Sequence, residues 1–459
     1  MRYARFAMMM WVAALVIAIF TSSAHASLAD ILYEKGQLTK EEWLKAKADE
    51  EKAMAPVEKV SEWQKKVEKL PILSDRFNIG LNVLQVQYLN NSASGSPGTD
   101  DNRLFIRRAE LITWGKVNDY LPRWHMLADF AANSNVGRSS GLNSIAASGT
   151  TTDNNQILRE AYIDIVPALS AQPYLDRVRI GQYRIPVGIE GSTSSGLIDF
   201  VNRNYIQSAP GTALAGAAAA PGTLTSTINF IQERDVYIDF KSKPFEQLEL
   251  DLGIMNGNSI TGPGNSYDNN SQKDFFGRAR IKPRKDLFFS MATIQGESTN
   301  LNSQNGGRGK GSYDRYIADF QWKPEFVPGL MFQGEWAWGH DAAPTPSVAV
   351  DSGTGRGEFR RAWYAYGKYL IQSGPLKDWA LLARYEQFDP SSNVSQDMLR
   401  RTTIGINYYF ANLPPKVQAK LMLNYEFRSQ DGNGPGTTNT KANEFGNDAL
   451  LLQLHVRWF

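Results

Sequence analysis

The chain has 459 residues, with 49 basic and 47 acidic groups, no cysteine and 42% hydrophobic residues. Removal of the N-terminal segment described next would take away Arg2 and Arg5 and no acid, leaving the charges equal. That balance excludes a basic surface for nucleic acid and a bulk positive field for anions, and the lack of cysteine excludes a disulfide framework.

Arg2 and Arg5 precede an apolar run from Ala7 to Phe20, and Ala24-His25-Ala26 is a small-x-small cleavage site. Residues 1–26 therefore read as a signal peptide, because the run is shorter than the ~20 residues a spanning helix needs; the competing reading is an uncleaved anchor. Residues 27–70 read as a helical head. Leu28, Ile31 and Leu32 begin a helix that Gly36 ends, Thr39-Lys40-Glu41-Glu42 fits a capping box, and Pro56 breaks the second helix. Val60, Trp63, Val67 and Leu70 have coiled-coil spacing. The head is then either a solvated tether or a trimerising coiled coil.

Residues 71–459 change character. The clearest stretch is VQAKLMLNYEFR at 417–428, where Val417, Ala419, Leu421, Leu423, Tyr425 and Phe427 alternate with Gln418, Lys420, Asn424, Glu426 and Arg428. A strand sorts these onto two faces; a helix would scatter them. Sixteen such strands are predicted, at 76–88, 103–117, 120–132, 157–165, 174–185, 234–242, 247–256, 274–282, 286–296, 312–323, 328–339, 358–371, 378–389, 399–411, 415–428 and 448–459. Their connections alternate in length. The long set, such as 133–156, 186–233 and 297–311, is rich in Gly, Ser and Asn, whereas the short set includes 118–119 and 283–285. Long and short connections at opposite ends are the asymmetry of an outer-membrane barrel, and an even strand count puts both chain ends on the periplasmic side. Strand 76–88 changes phase between Val83 and Leu84, which a bulge would explain. Phe459 falls out of phase with Leu450, Leu452, Leu454, Val456 and Trp458.

The chain resembles the phosphate-selective porin O and P family. The residues that carry the resemblance are Phe105-Ile106-Arg107-Arg108-Ala109-Glu110-Leu111 and Arg179-Ile180-Gly181-Gln182-Tyr183-Arg184-Ile185-Pro186-Val187-Gly188-Ile189-Glu190. Asn256-Gly257, Arg384-Tyr385-Glu386, Phe388-Asp389-Pro390, Gly405-Ile406-Asn407-Tyr408-Tyr409 and the head motifs also match. The resemblance implies an all-β transmembrane barrel of 16 antiparallel strands, a homotrimer in outer-membrane lipid, whose third outer loop folds inward to narrow the pore. Connection 186–233 holds Leu197, Ile198, Phe200, Val201, Tyr205, Ile206 and an Ala-rich tract at 213–220, so it has apolar surface to bury. The barrel interior would bury it; an interface between copies is the alternative.

Arg107 and Arg108 are adjacent on a strand, so at least one faces the interior, and the family's arginines of this pair line the anion path. Arg278, Arg280 and Lys282 alternate with Ala279 and Ile281 and form a basic ladder. Guanidinium forks suit phosphate oxygens. Arg184 and Arg203 complete the candidate pore-lining set. Glu249, Asp251, Asp319, Glu335 and Glu386 also point inward by alternation, so pairing of these cations with carboxylates is the competing reading. Phosphate-selective relatives use a lysine near the constriction, and no lysine lies between Arg184 and Lys241. The expected function is passive diffusion of small hydrophilic solutes, with small anions such as phosphate as partners. A general or small-organic-solute channel, a plugged structural barrel and a hydrolase are the alternatives. No cofactor or metal is expected, and catalysis lacks a motif around His125, His340 or His455.

Overall fold

A strand whose two faces differ in polarity needs a neighbour on each edge, and a closed ring supplies one to every strand. The computed structural model describes residues 39–45, 76–91, 101–133, 158–166, 174–211, 226–228, 233–257, 272–301, 308–340, 359–389, 392, 398–413, 417–430 and 448–458. The segment expected as a signal peptide, the expected seam at 60–70, the 213–220 tract and Phe459 lie outside them. The chain divides into two units, Met1–Ser74 with Ile371–Asp378, and Asp75–Leu370 with Trp379–Phe459. In the first, residues 40–45 are helical. The Thr39 N–H and hydroxyl both donate to Glu42 Oε2 (2.9 and 2.8 Å), and the Glu42 N–H donates back to Thr39 Oγ1 (3.3 Å). This is the capping box expected there.

The second unit is built of strands: β1 Asn78–Asn91, β2 Asp101–Gly115, β3 Arg123–Asp129, β4 Leu158–Ile165, β5 Arg177–Arg184, β6 Ala209–Gly211, β7 Ser226–Ile228, β8 Arg234–Phe245, β9 Leu248–Met255, β10 Asp274–Arg284, β11 Leu287–Leu301, β12 Arg308–Trp322, β13 Leu330–His340, β14 Phe359–Leu370, β15 Trp379–Asp389, β16 Leu399–Leu413, β17 Val417–Gln430 and β18 Ala449–Trp458. β6 and β7 pair only with each other; the other sixteen form one closed barrel. Each pairs antiparallel with its sequence neighbour, β5 steps to β8, and β18 returns to β1 from Leu81↔Trp458 to Asn91↔Ala449. All sixteen expected strands are present. β11 and β12 continue into the expected 297–311 loop, pairing as far as Leu301↔Arg308.

The polarity is the reverse of a water-soluble core. Leu104, Ile106, Phe289, Met291, Trp336, Ile404, Phe427 and Leu454 are exposed on the outside. Glu110, Asp239, Glu335, Arg384, Glu386, Asn424 and Glu426 are buried on the inside. Exterior aromatic rings pair near both rims: Phe77 with Trp124, Trp322 with Phe332 and Trp379 with Tyr408 toward the short connections, Trp363 with Tyr385 and Tyr425 with Phe427 toward the long ones.

The phase change in β1 is a bulge, since the register shifts between Leu81 and Leu84 against β18 and between Leu81 and Val83 against β2. Residues 185–207, which follow β5, bring Ile185, Val187, Phe200, Tyr205 and Ile206 against inward-facing Tyr237, Phe276, Ile317 and Tyr364. Val201 joins a second cluster with Leu89, Met422 and Leu451. Leu197 departs from the expectation and is exposed.

Candidate functional site

A second irregularity in the wall decides how its arginines are presented. Between β1 and β2 the register runs Gln85↔Arg108 and then Val86↔Ile106, so Arg107 is an extra residue without a partner position. A bulge of this kind breaks the up-down alternation. The consequence is that both members of the pair turn inward, where alternation required only one. Arg107 Nη1 donates to Gln87 Oε1 (2.8 Å) and to Asn202 Oδ1 (3.0 Å). Arg108 Nη1 donates to Gln85 Oε1 (2.8 Å), and its Nε lies 3.7 Å from Glu110 Oε1.

Asn202 belongs to residues 185–207, a segment whose only regular structure is two four-residue helical turns, Ile189–Ser192 and Tyr205–Ser208. An irregular backbone buried inside a protein must find hydrogen bonds elsewhere. Here the wall supplies them from side chains. Glu335 Oε1 accepts from the Glu190 N–H (2.7 Å), Asn424 Oδ1 from the Val201 N–H (2.7 Å), and Glu386 Oε2 from the Tyr205 N–H (2.6 Å). In the other sense, Lys420 donates to the Ile198 carbonyl (2.6 Å), Asn407 to Asp199 (2.8 Å), Arg384 to Asn202 (3.0 Å) and Arg401 to Arg203 (2.6 Å). Gly188 opens the first turn at φ 67°, and a Cβ there would lie 2.5 Å from Glu335 Oε2. The left-handed backbone favours glycine there, and a Cβ would also have to displace the tip of the Glu335 side chain.

The Asp199 side chain is the segment's main clasp. It accepts hydrogen bonds from Tyr366 (2.6 Å), Lys368 (2.8 Å) and Tyr409 (2.8 Å), with Lys420 at 4.0 Å. Burial works against its charge, but Lys368 and Lys420 outweigh it and hold the carboxyl below the ordinary carboxylate range. A cavity of about 480 Å³ opens beside this clasp toward the 323–329 connection, lined by Gln321, Lys323, Gln333 and Gln418 among others. Tyr205 and Phe200 lie under the guanidinium planes of Arg401 and Arg384, each 4.5 Å from the ring centre.

The remaining predicted cations are matched by carboxylates. Arg184 pairs with Glu160 (3.2 Å) and with Glu233. Arg203 meets Glu233 at 3.0 Å, and Arg234 meets Glu160 and Glu233 at 3.0 and 2.9 Å. Burial opposes ionisation of Glu233, yet Arg234, Arg203 and Arg184 hold it well below the ordinary range. Arg278 donates to Ser290, lies 3.4 Å from Asp319 and reaches the Pro186 carbonyl at 3.3 Å. Arg280 and Lys282 converge on Glu249 at 3.7 and 2.6 Å. The expected ladder is present, but each rung is charge-compensated. His125 and His340, isolated in sequence, meet Glu160 (3.1 Å) and Asp314 (3.0 Å).

Sequence reading missed Asp199, Asn202, Gln85 and Gln87. Asp199 had a signal, being the sole acidic residue between Glu190 and Glu233. The amides had none, because their role depends on a bulge and on a segment distant in sequence.

No family model matches the chain, and no curated protein matches it in sequence. Among solved structures it is similar to OmpF of Salmonella typhi, at 10% identity over 83% of this chain and 97% of that one, with a TM-score of 0.49. It is similar also to OprB of Pseudomonas putida, at 10% identity over 84% of this chain and 95% of that one (TM-score 0.48). A third is OmpT of Vibrio cholerae, an outer membrane protein in trimer form, at 10% identity over 83% of this chain and 100% of that one (TM-score 0.44).

Proposed function

We propose that the protein is an outer-membrane channel for passive diffusion of small hydrophilic solutes, with a preference for anions. The observation that carries the anion preference is Arg107, an inward-facing arginine whose hydrogen bonds go to two amide oxygens. The channel itself is supported by a closed wall that is apolar outside and charged inside. Residues 185–207 act as an inward-folded constriction, a reading supported by their hydrogen bonds to β13, β15, β16 and β17. The long connections face the exterior, and the head, the 27–70 segment, sits in the periplasm. The resemblance to phosphate-selective porins supports phosphate as one such anion and a homotrimer as the assembly. A less selective channel for small organic solutes is the second reading, favoured by the carboxylates that compensate Arg184, Arg203, Arg278, Arg280 and Lys282.

The test is the purified protein in a planar bilayer under a potassium chloride gradient. Discrete current steps are expected, with a reversal potential on the anion side. Replacing Arg107 and Arg108 by Ala should move that potential toward cations. No steps would overturn the channel, and an unchanged potential would remove the arginine pair from the account.

A further inference from the structure

We propose that two amide side chains, Gln87 and Asn202, set the charge preference of the pore by orienting Arg107 without neutralising it. The inference rests on the channel reading above and names the residues that would make it selective for small oxyanions, carboxylates or phosphates.

Every other predicted cation in the lumen is answered by a carboxylate within 4 Å, as described for Arg108, Arg184, Arg203, Arg278, Arg280 and Lys282. The bulge residue Arg107 is held differently. An amide oxygen accepts a guanidinium N–H as a carboxylate oxygen does, but it brings no net charge. The guanidinium is thus fixed in direction while its field still acts on a passing ion. Gln85 and Gln87 are each 3% exposed, so they are fixtures of the wall rather than surface groups.

The network also determines which end of each amide faces the arginine. Asn202 Nδ2 donates to Glu426 Oε1 (3.0 Å), which leaves Oδ1 for Arg107. Gln85 Nε2 lies 3.2 Å from His455 Nδ1, which leaves Oε1 for Arg108, the neighbour that Glu110 also faces. Asn202 therefore ties the segment after β5 to β17 on one side and to β2 on the other. A solute oxyanion carries the oxygen geometry that these amides imitate, and it can take guanidinium donors left over from them.

Amide and carboxylate side chains are nearly isosteric, so the idea can be tested with little change of shape. Asn202→Asp and Gln87→Glu are made singly in the full chain, reconstituted in planar bilayers, and compared with the parent and with Arg107→Ala in a potassium chloride gradient. A fixed negative charge beside Arg107 should lower the anion-to-cation permeability ratio roughly threefold in each variant. Inorganic phosphate should block the parent's current, and block both variants less. The two substitutions lie on different elements, so loss of channel formation in one leaves the other as the test. If both leave the ratio unchanged while Arg107→Ala lowers it, the amide proposal is wrong and the channel reading stands. If Arg107→Ala also leaves it unchanged, both the anion reading and this proposal fall.

Discussion

Arg278 and Arg107 both point inward from mid-strand, yet removing each should have different consequences. Arg278 sits against Asp319, Ser290 and the Pro186 carbonyl, and Asp319 is buried. Arg278→Ala should cost about 3–5 kcal/mol in denaturant unfolding of the detergent-solubilised protein, because it strands a buried carboxylate. Arg107→Ala should cost nearer ~1 kcal/mol, since the partners it leaves are neutral amides. Its effect should fall on the permeability ratio instead. The inward direction of Arg278, Arg280 and Lys282 was legible from alternation alone. Their partners were not, because Glu249 and Asp319 meet them through pairings of β9, β10, β11 and β12 that no local pattern specifies.

The segment from Ile185 to Gln207 is an element without its own scaffold, and its position depends on side chains lent by the wall. Asp199→Asn keeps the shape of the clasp but removes the charge that Lys368 and Lys420 face. If the segment narrows the pore, this change should raise single-channel conductance or add rapid fluctuations between levels. The pH dependence follows from the depressed carboxyl. A group whose folded pKa lies below its unfolded value contributes stability at higher pH and loses it as pH falls through the folded value. The clasp should therefore survive acidification past the unfolded carboxylate value of about 3.9. Conductance of the parent should stay level to that point, and a change at milder pH would mean that another group controls the segment. The apolar content of 186–233 announced a need for burial. The backbone hydrogen bonds from Glu335, Glu386, Asn407 and Asn424 could not be read, since each joins residues far apart in sequence.

At the scale of the whole molecule, the sixteen strands and their polarity were legible because a period of two is local and repeats in nearly every strand. The exceptions were the hairpin β11–β12, where strands run on through a polar sequence, and the bulge at Arg107; the bulge in β1 was announced by its change of phase. The outer face carries its own prediction. Ile404, at mid-strand on β16, is exposed between Ala383 on β15 and Tyr425 on β17. Ile404→Arg should destabilise the barrel in lipid by about 2–4 kcal/mol, as for a charge at the bilayer midplane. Little change in bilayer unfolding experiments would argue against lipid on that side.

The bulge at Arg107 carries a further consequence for how this wall tolerates sequence change. One surplus amino acid there resets the parity of the strand, so the stretch on its long-connection side and the stretch beyond it each show the right chemistry to the right surroundings. Excising that single amino acid would close the register, with Gln85↔Arg108 followed directly by Val86↔Ile106, and would keep Leu104 and Ile106 on the outer face while leaving one inward arginine where there are now two. The wall therefore tolerates loss of the surplus amino acid at this point, and what it would give up is one of the two adjacent positive charges.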